Sequence, residues 1–116
     1  MKYLCLIYDN ETQAARRPKE ELDRTFAEYM AFNKDTKASG HYIGGHALQA
    51  TSTATTVRER NGTVSTTDGP FAETKEQLGG YYLVEARDLN EAITVASRIP
   101  GARTGSVEVR PIWEMG

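Results

Sequence analysis

Residues 2–8, Lys-Tyr-Leu-Cys-Leu-Ile-Tyr, are apolar on both alternating sets. Tyr3, Cys5 and Ile7 point one way in an extended chain, and Leu4, Leu6 and Tyr8 the other. Such a strand needs cover on both faces. The remaining sequence offers two long helical patterns, enough for one face of a small sheet. The second face therefore calls for a second copy of the chain, the simplest symmetric solution.

Pro18 is expected to open the first helix at its first position. Glu20 and Glu21 follow in the first turn, where the helix dipole favours acids. Leu22, Phe26, Tyr29 and Met30 have helical spacing and predict an inner stripe that fades after Phe32, with Gly40 as the stop. A short strand is expected near Tyr42–Ala47, with Gly44-Gly45 marking a bulge or a close approach. Asn61-Gly62 lies between Thr55–Arg60 and Thr63–Thr67, a hairpin pattern with a type I′ turn. Gly80–Ala86 reads as a buried strand. Asp88, with Glu91 three residues on, caps a second helix whose inner face is Leu89, Ala92, Ile93, Ala96 and Ile99. Pro100-Gly101 ends it, and a last strand runs from Ser106 to about Trp113. The order β-α-β-hairpin-β-α-β is that of a ferredoxin-like split βαβ with an inserted hairpin, an α+β fold with two helices on one face of an antiparallel sheet.

The 116 residues fit one domain, 1–116. A net charge of −2 without a Lys/Arg cluster argues against direct nucleic-acid binding. No apolar run reaches the roughly 20 residues of a membrane span. The short apolar start is followed by Asp9 and Glu11 rather than a cleavage site, so a cytoplasmic protein is expected. The single cysteine, Cys5, reads as an inert buried thiol. The histidines, His41 and His46, lie five residues apart and so face opposite ways on a strand. No metal and no cofactor is expected from such spacing.

The stretch Thr67-Asp68-Gly69-Pro70-Phe71-Ala72-Glu73-Thr74-Lys75-Glu76-Gln77-Leu78-Gly79-Gly80-Tyr81-Tyr82 resembles the signature loop and following strand of the DGPF branch of YCII-related proteins. Met1-Lys2-Tyr3-Leu4, Pro18-Lys19-Glu20-Glu21, Gly44-Gly45 and Gly105-Ser106-Val107-Glu108-Val109-Arg110-Pro111 extend the likeness over nearly the whole chain. The resemblance implies a homodimeric α/β barrel of bacterial origin, with a genomic association with extracytoplasmic-function sigma factors. It also implies a His–Asp site of the kind proposed for the wider group. Here Glu28 and Tyr29 stand where the helix histidine is expected, so only Asp68 carries over.

Asp68-Gly69-Pro70 is first a turn, with Phe71 expected to anchor the loop in the core. Asp68 is also the candidate acid or base, with His46 or a tyrosine as its catalytic partner. Glu73, Tyr81, Tyr29 and Phe71 are candidate ligand contacts. Two functions follow. One is a small cofactor-independent enzyme acting on a small metabolite, with Asp68 as acid/base. The other is a non-catalytic ligand-binding or regulatory module linked to sigma-factor-dependent transcription.

Overall fold

A computed structural model describes residues 1–114. Its elements are β1 (Lys2–Asp9), α1 (Glu11–Ala14), α2 (Lys19–Ala38), β2 (Tyr42–Ala47), β3 (Thr55–Arg60), β4 (Thr63–Asp68), β5 (Gln77–Glu85), α3 (Leu89–Ser97) and β6 (Ser106–Pro111). Single 3₁₀ turns occupy Thr51–Thr53 and Pro100–Ala102. Four strands form one antiparallel sheet in the order β2-β5-β1-β6, and β3 and β4 form a separate hairpin. This is the expected α+β, ferredoxin-like split βαβ with the hairpin inserted between β2 and β5.

β1 lies inside the sheet, paired with β5 on one side and β6 on the other. Tyr3 and Cys5 are buried together with Tyr82 and Val84 of β5, against Phe32 of α2 and Ala92, Val95 and Ala96 of α3. Both long helices thus pack on one face. The alternate set, Leu4, Leu6, Tyr8, Leu78 and Leu83, is only half-buried on the other face. The described chain is 19 Å thick and 47 Å by 46 Å across, the thickness of one sheet and one helix layer.

Local chemistry explains most boundaries. Pro18 stands at the N-cap of α2 rather than at its first helical position, with ψ 151° and no side-chain cap bond. The helix runs past Phe32 to Ala38 because Thr36 is fully buried and its hydroxyl donates back to the Phe32 carbonyl. Gly40, at φ 81°, then stops it: the Gly40 N–H bonds to Lys37 O and the His41 N–H to Thr36 O, a Schellman closure. Asn61 at φ 53° and Gly62 at φ 79° make the expected hairpin turn. Asp88 caps α3 by accepting from the Glu91 N–H.

Four further expectations differ from the structure. Leu22, Phe26 and Met30 are not the buried stripe of α2 but are exposed. In α3, Val95 takes the inward place expected of Ile93, and Leu89 and Ile93 are exposed, so the buried face is rotated by part of a turn. β5 begins at Gln77, before Gly80, because β1 continues to offer partners as far as Asp9 beyond a bulge. β6 stops at Pro111 rather than Trp113. Its only partner among the described residues, β1, runs out at Lys2, whose carbonyl takes the Ile112 N–H. The helix α1 was not expected. Asn10 caps it by accepting from the Gln13 N–H.

The turn before β6 is packed so closely that a Cβ on Gly105 would fall within bonding range of the Tyr8 carbonyl oxygen. Gly105→Ala is expected to cost roughly 1–3 kcal/mol, the usual range for overpacking. Gly44→Ala, with open space around its Cβ position, is expected to be neutral within about 0.5 kcal/mol. Thermal melts of the two variants read the difference.

Candidate functional site

Between the helix-covered side of the sheet and α2 lies a cleft of about 470 Å³. Phe26, Tyr29, Met30 and Asn33 reach it from α2, at one-turn intervals along a single face. The sheet side is shaped by glycines. A Cβ at Gly45 would meet the Tyr82 ring at 2.6 Å and the Tyr81 carbonyl at 2.9 Å, so only glycine lets β2 lie against that ring. Tyr82 is held in turn by Phe32, at 5.0 Å between ring centroids, and by Tyr42 at 6.1 Å. Its hydroxyl donates to Asn33 Oδ1 at 2.6 Å.

At one end the cleft is bordered by Asp9, at the last position of β1. Asp9 Oδ1 accepts from the Asn10 N–H at 2.8 Å and from Arg17 Nη2 at 3.2 Å. Asp9 Oδ2 accepts from Arg17 Nη1 at 2.8 Å and from the Thr104 hydroxyl at 3.2 Å. Burial pushes this carboxyl up, but the Arg17 hydrogen bond and charge, with the Asn10 and Thr104 donors, outweigh it and hold it below the usual range. Asp9 is therefore ionised at neutral pH. The Tyr29 hydroxyl accepts from the Gly101 N–H at 3.1 Å. Burial raises Tyr29 and pushes Tyr82 up to about 12, so both stay protonated at neutral pH.

The expected site residues separate. Tyr29 borders the cleft directly. His46 and Tyr81 also border it at the sheet edge, but they are paired in the β2–β5 ladder, with ring centroids 5.8 Å apart. Alternation from Gly45 and Tyr82 sets these two rings on the sheet face away from the helices. Asp68, Glu73 and Phe71 do not border the cleft. Asp68 ends β4, opposite Thr55, in a strand whose residues are all exposed. Asp68 thus belongs to the separate hairpin while His46 lies on β2 of the four-stranded sheet, and no hydrogen bond or ion pair joins the two among the described residues. Phe71 does not anchor the loop in the core: it is 76% exposed, with the Arg58 guanidinium carbon 5.3 Å from its ring centroid. The turn reading fares better. Gly69 has φ 100°, and its N–H and carbonyl tie to Ala54 O and the Thr56 hydroxyl. Cys5 is fully buried, and burial pushes its thiol up to about 11.

Asp9, Asn33, Tyr42 and Tyr82 were not singled out as site residues from sequence. Asn33 carries the one available signal, a polar residue four positions after Tyr29 on an inward helix face. Among the described residues no group of three or more His, Cys, Asp or Glu side chains is placed to hold a metal ion. No described helix is long and apolar enough to cross a membrane.

With this geometry the chain falls into a recognised class, the small α+β domains of the YCII type. The family model for the YCII-related domain matches residues 1–116, and the chain belongs to that family. An uncharacterized protein of Rhizobium meliloti (strain 1021) is 38% identical over 114 residues, covering 97% of this chain and 92% of that one. Among solved structures, 5-chloro-2-hydroxyhydroquinone dehydrochlorinase from Burkholderia phenoliruptrix AC1100, in complex with 2,5-dihydroxybenzoquinone, shares the fold. Its TM-score is 0.53 at 17% identity, covering 100% of this chain and 96% of that one.

The raised tyrosine gives a titration signature. A buried phenol whose folded value exceeds its ordinary value of 10 favours the neutral, folded form. Its stabilisation is full below pH 10 and is lost as pH rises through about 12. Alkaline absorbance titration is expected to show one tyrosine ionising last, near pH 12, and Tyr82→Phe is expected to remove that phase. Loss of the phase in Tyr81→Phe instead would reassign it.

Proposed function

We propose that this protein binds a small, planar metabolite in the cleft between the sheet and α2 and acts on it without a cofactor. The observation that carries this reading is the cleft itself. Apolar Phe26, Met30 and Ile7 surround a few fixed polar groups, the composition typical of small-ligand sites. The fold is shared with a dehydrochlorinase complexed with a quinone, which supports a substrate of similar size. Proton transfer is the chemistry the walls favour, since Tyr29 and Tyr82 are kept protonated and Asp9 ionised. The reaction class is isomerisation or elimination on a ring or short chain.

A receptor without turnover is the second reading, favoured by one observation. All four Asp9 hydrogen bonds are made within the protein, which leaves it a weak base. Following the absorbance of a bound quinone over hours separates the two readings, because only an enzyme consumes it.

The same proposal includes a homodimer. The half-buried apolar row of Leu4, Leu6, Tyr8, Leu78 and Leu83 supports a sheet-to-sheet contact with a second copy. In such a dimer His46 and Tyr81 would lie at or near the interface rather than inside the helix-side cleft, and Asp68 would serve the site only from across it.

Two measurements test these assignments. With 2,5-dihydroxybenzoquinone as probe, Met30→Trp, which fills the cleft mouth, is expected to weaken binding by about 10-fold or more, the scale of a lost apolar contact. Asp68→Asn is expected to bind as wild type does. The reverse pattern, with Asp68→Asn losing binding and Met30→Trp keeping it, would move the site to the signature loop. Light scattering is expected to give twice the chain mass for wild type and the single mass for Leu6→Lys; a monomeric wild type would remove the dimer.

A further inference from the structure

We infer that Tyr29 and Asn33 form a paired hydrogen-bond donor that selects ligands by an acceptor oxygen, so that the cleft takes small aromatic or cyclic carbonyl compounds. This rests on the cleft being the ligand site and names the class of molecule it admits.

The argument follows hydrogen-bond direction. Tyr29 and Asn33 are one turn apart on α2 and both border the cleft. The Tyr29 oxygen accepts from the Gly101 N–H at 3.1 Å, which turns its own O–H away from Gly101. Gly101 fixes this arrangement sterically as well. A Cβ there would meet the Tyr29 oxygen and Ile7 Cγ2, each at 2.8 Å, so the hydroxyl occupies space that only glycine leaves open. Asn33 Oδ1 is taken by the Tyr82 hydroxyl at 2.6 Å. Its amide nitrogen keeps two hydrogens for other partners.

The side-chain acceptors of Asp9 and Asn33 are spent where the Tyr29 and Asn33 donors are not. Asp9 has both oxygens doubly engaged and its charge matched by Arg17. A ligand presenting an N–H or O–H would meet no free carboxylate at that end. A ligand presenting a carbonyl oxygen would meet the Tyr29 hydroxyl and the Asn33 amide together. Two neutral donors on one oxygen also describe a site that stabilises charge developing there, as in enolisation.

The test uses acetophenone and ethylbenzene, which share size and shape and differ in one acceptor oxygen. Binding to the ¹⁵N-labelled full chain is followed by amide shift changes. Acetophenone is expected to bind about 10-fold more tightly than ethylbenzene, the scale of one to two neutral hydrogen bonds. That preference is expected to shrink to about 3-fold or less in Tyr29→Phe and in Asn33→Asp, which loses the amide donors but keeps the acceptor for Tyr82. Equal binding of the two probes to wild type would overturn the donor pair while leaving the cleft as the site. A preference undiminished in both variants would overturn the assignment to Tyr29 and Asn33. Shift changes for neither probe around the cleft would overturn the ligand site itself and this inference with it.

Discussion

The packing of one ring, that of Tyr82, sets the spacing on which the rest of the structure depends. It stands on the helix side of β5, fills the space left by Gly45 on β2, and meets Phe32 from α2. Its hydroxyl tethers Asn33 one residue further along the same helix. A smaller residue would let α2 settle toward the sheet and close the cleft; a side chain at Gly45 would push the ring into the helix. The aromatic contacts therefore keep the layers apart and the cleft open, and also hold one wall group in a fixed orientation.

How much of this was legible in the sequence depends on the range of the forces involved. The hairpin turn at Asn61-Gly62, the Asp88 cap and the Gly40 stop are local, decided by backbone geometry within a few residues, and they stand where the sequence places them. The double-sided apolar pattern of residues 2–8 likewise foretells a strand within the sheet. The helix stripes were harder. Leu22, Phe26 and Met30 have the right period, but which face is buried depends on where the helix crosses the sheet, and a period alone carries no such phase. The same limit hid Asp9, whose partners Arg17 and Thr104 lie 8 and 95 residues away.

Asp68 shows the converse. The signature loop is the most conspicuous run of the sequence, yet within one chain Gly69 makes a turn and the Asp68 carboxylate sits on the separate hairpin. The fold is shared with a protein only 17% identical, so the scaffold tolerates wide change in sequence. Chemistry on such a scaffold is decided by the few wall groups, not by the fold.

The hairpin has a practical meaning of a different kind. β4 is exposed along its whole length, and Gly62 at the tip has nothing within 4 Å of its Cβ position. Exposed loop tips of small polar residues accept inserted sequence readily. A peptide epitope or a fluorophore attachment site spliced between Asn61 and Gly62 would be carried on an arm outside the four-stranded sheet. The chain thus has a natural handle for immobilisation or display that leaves the cleft untouched.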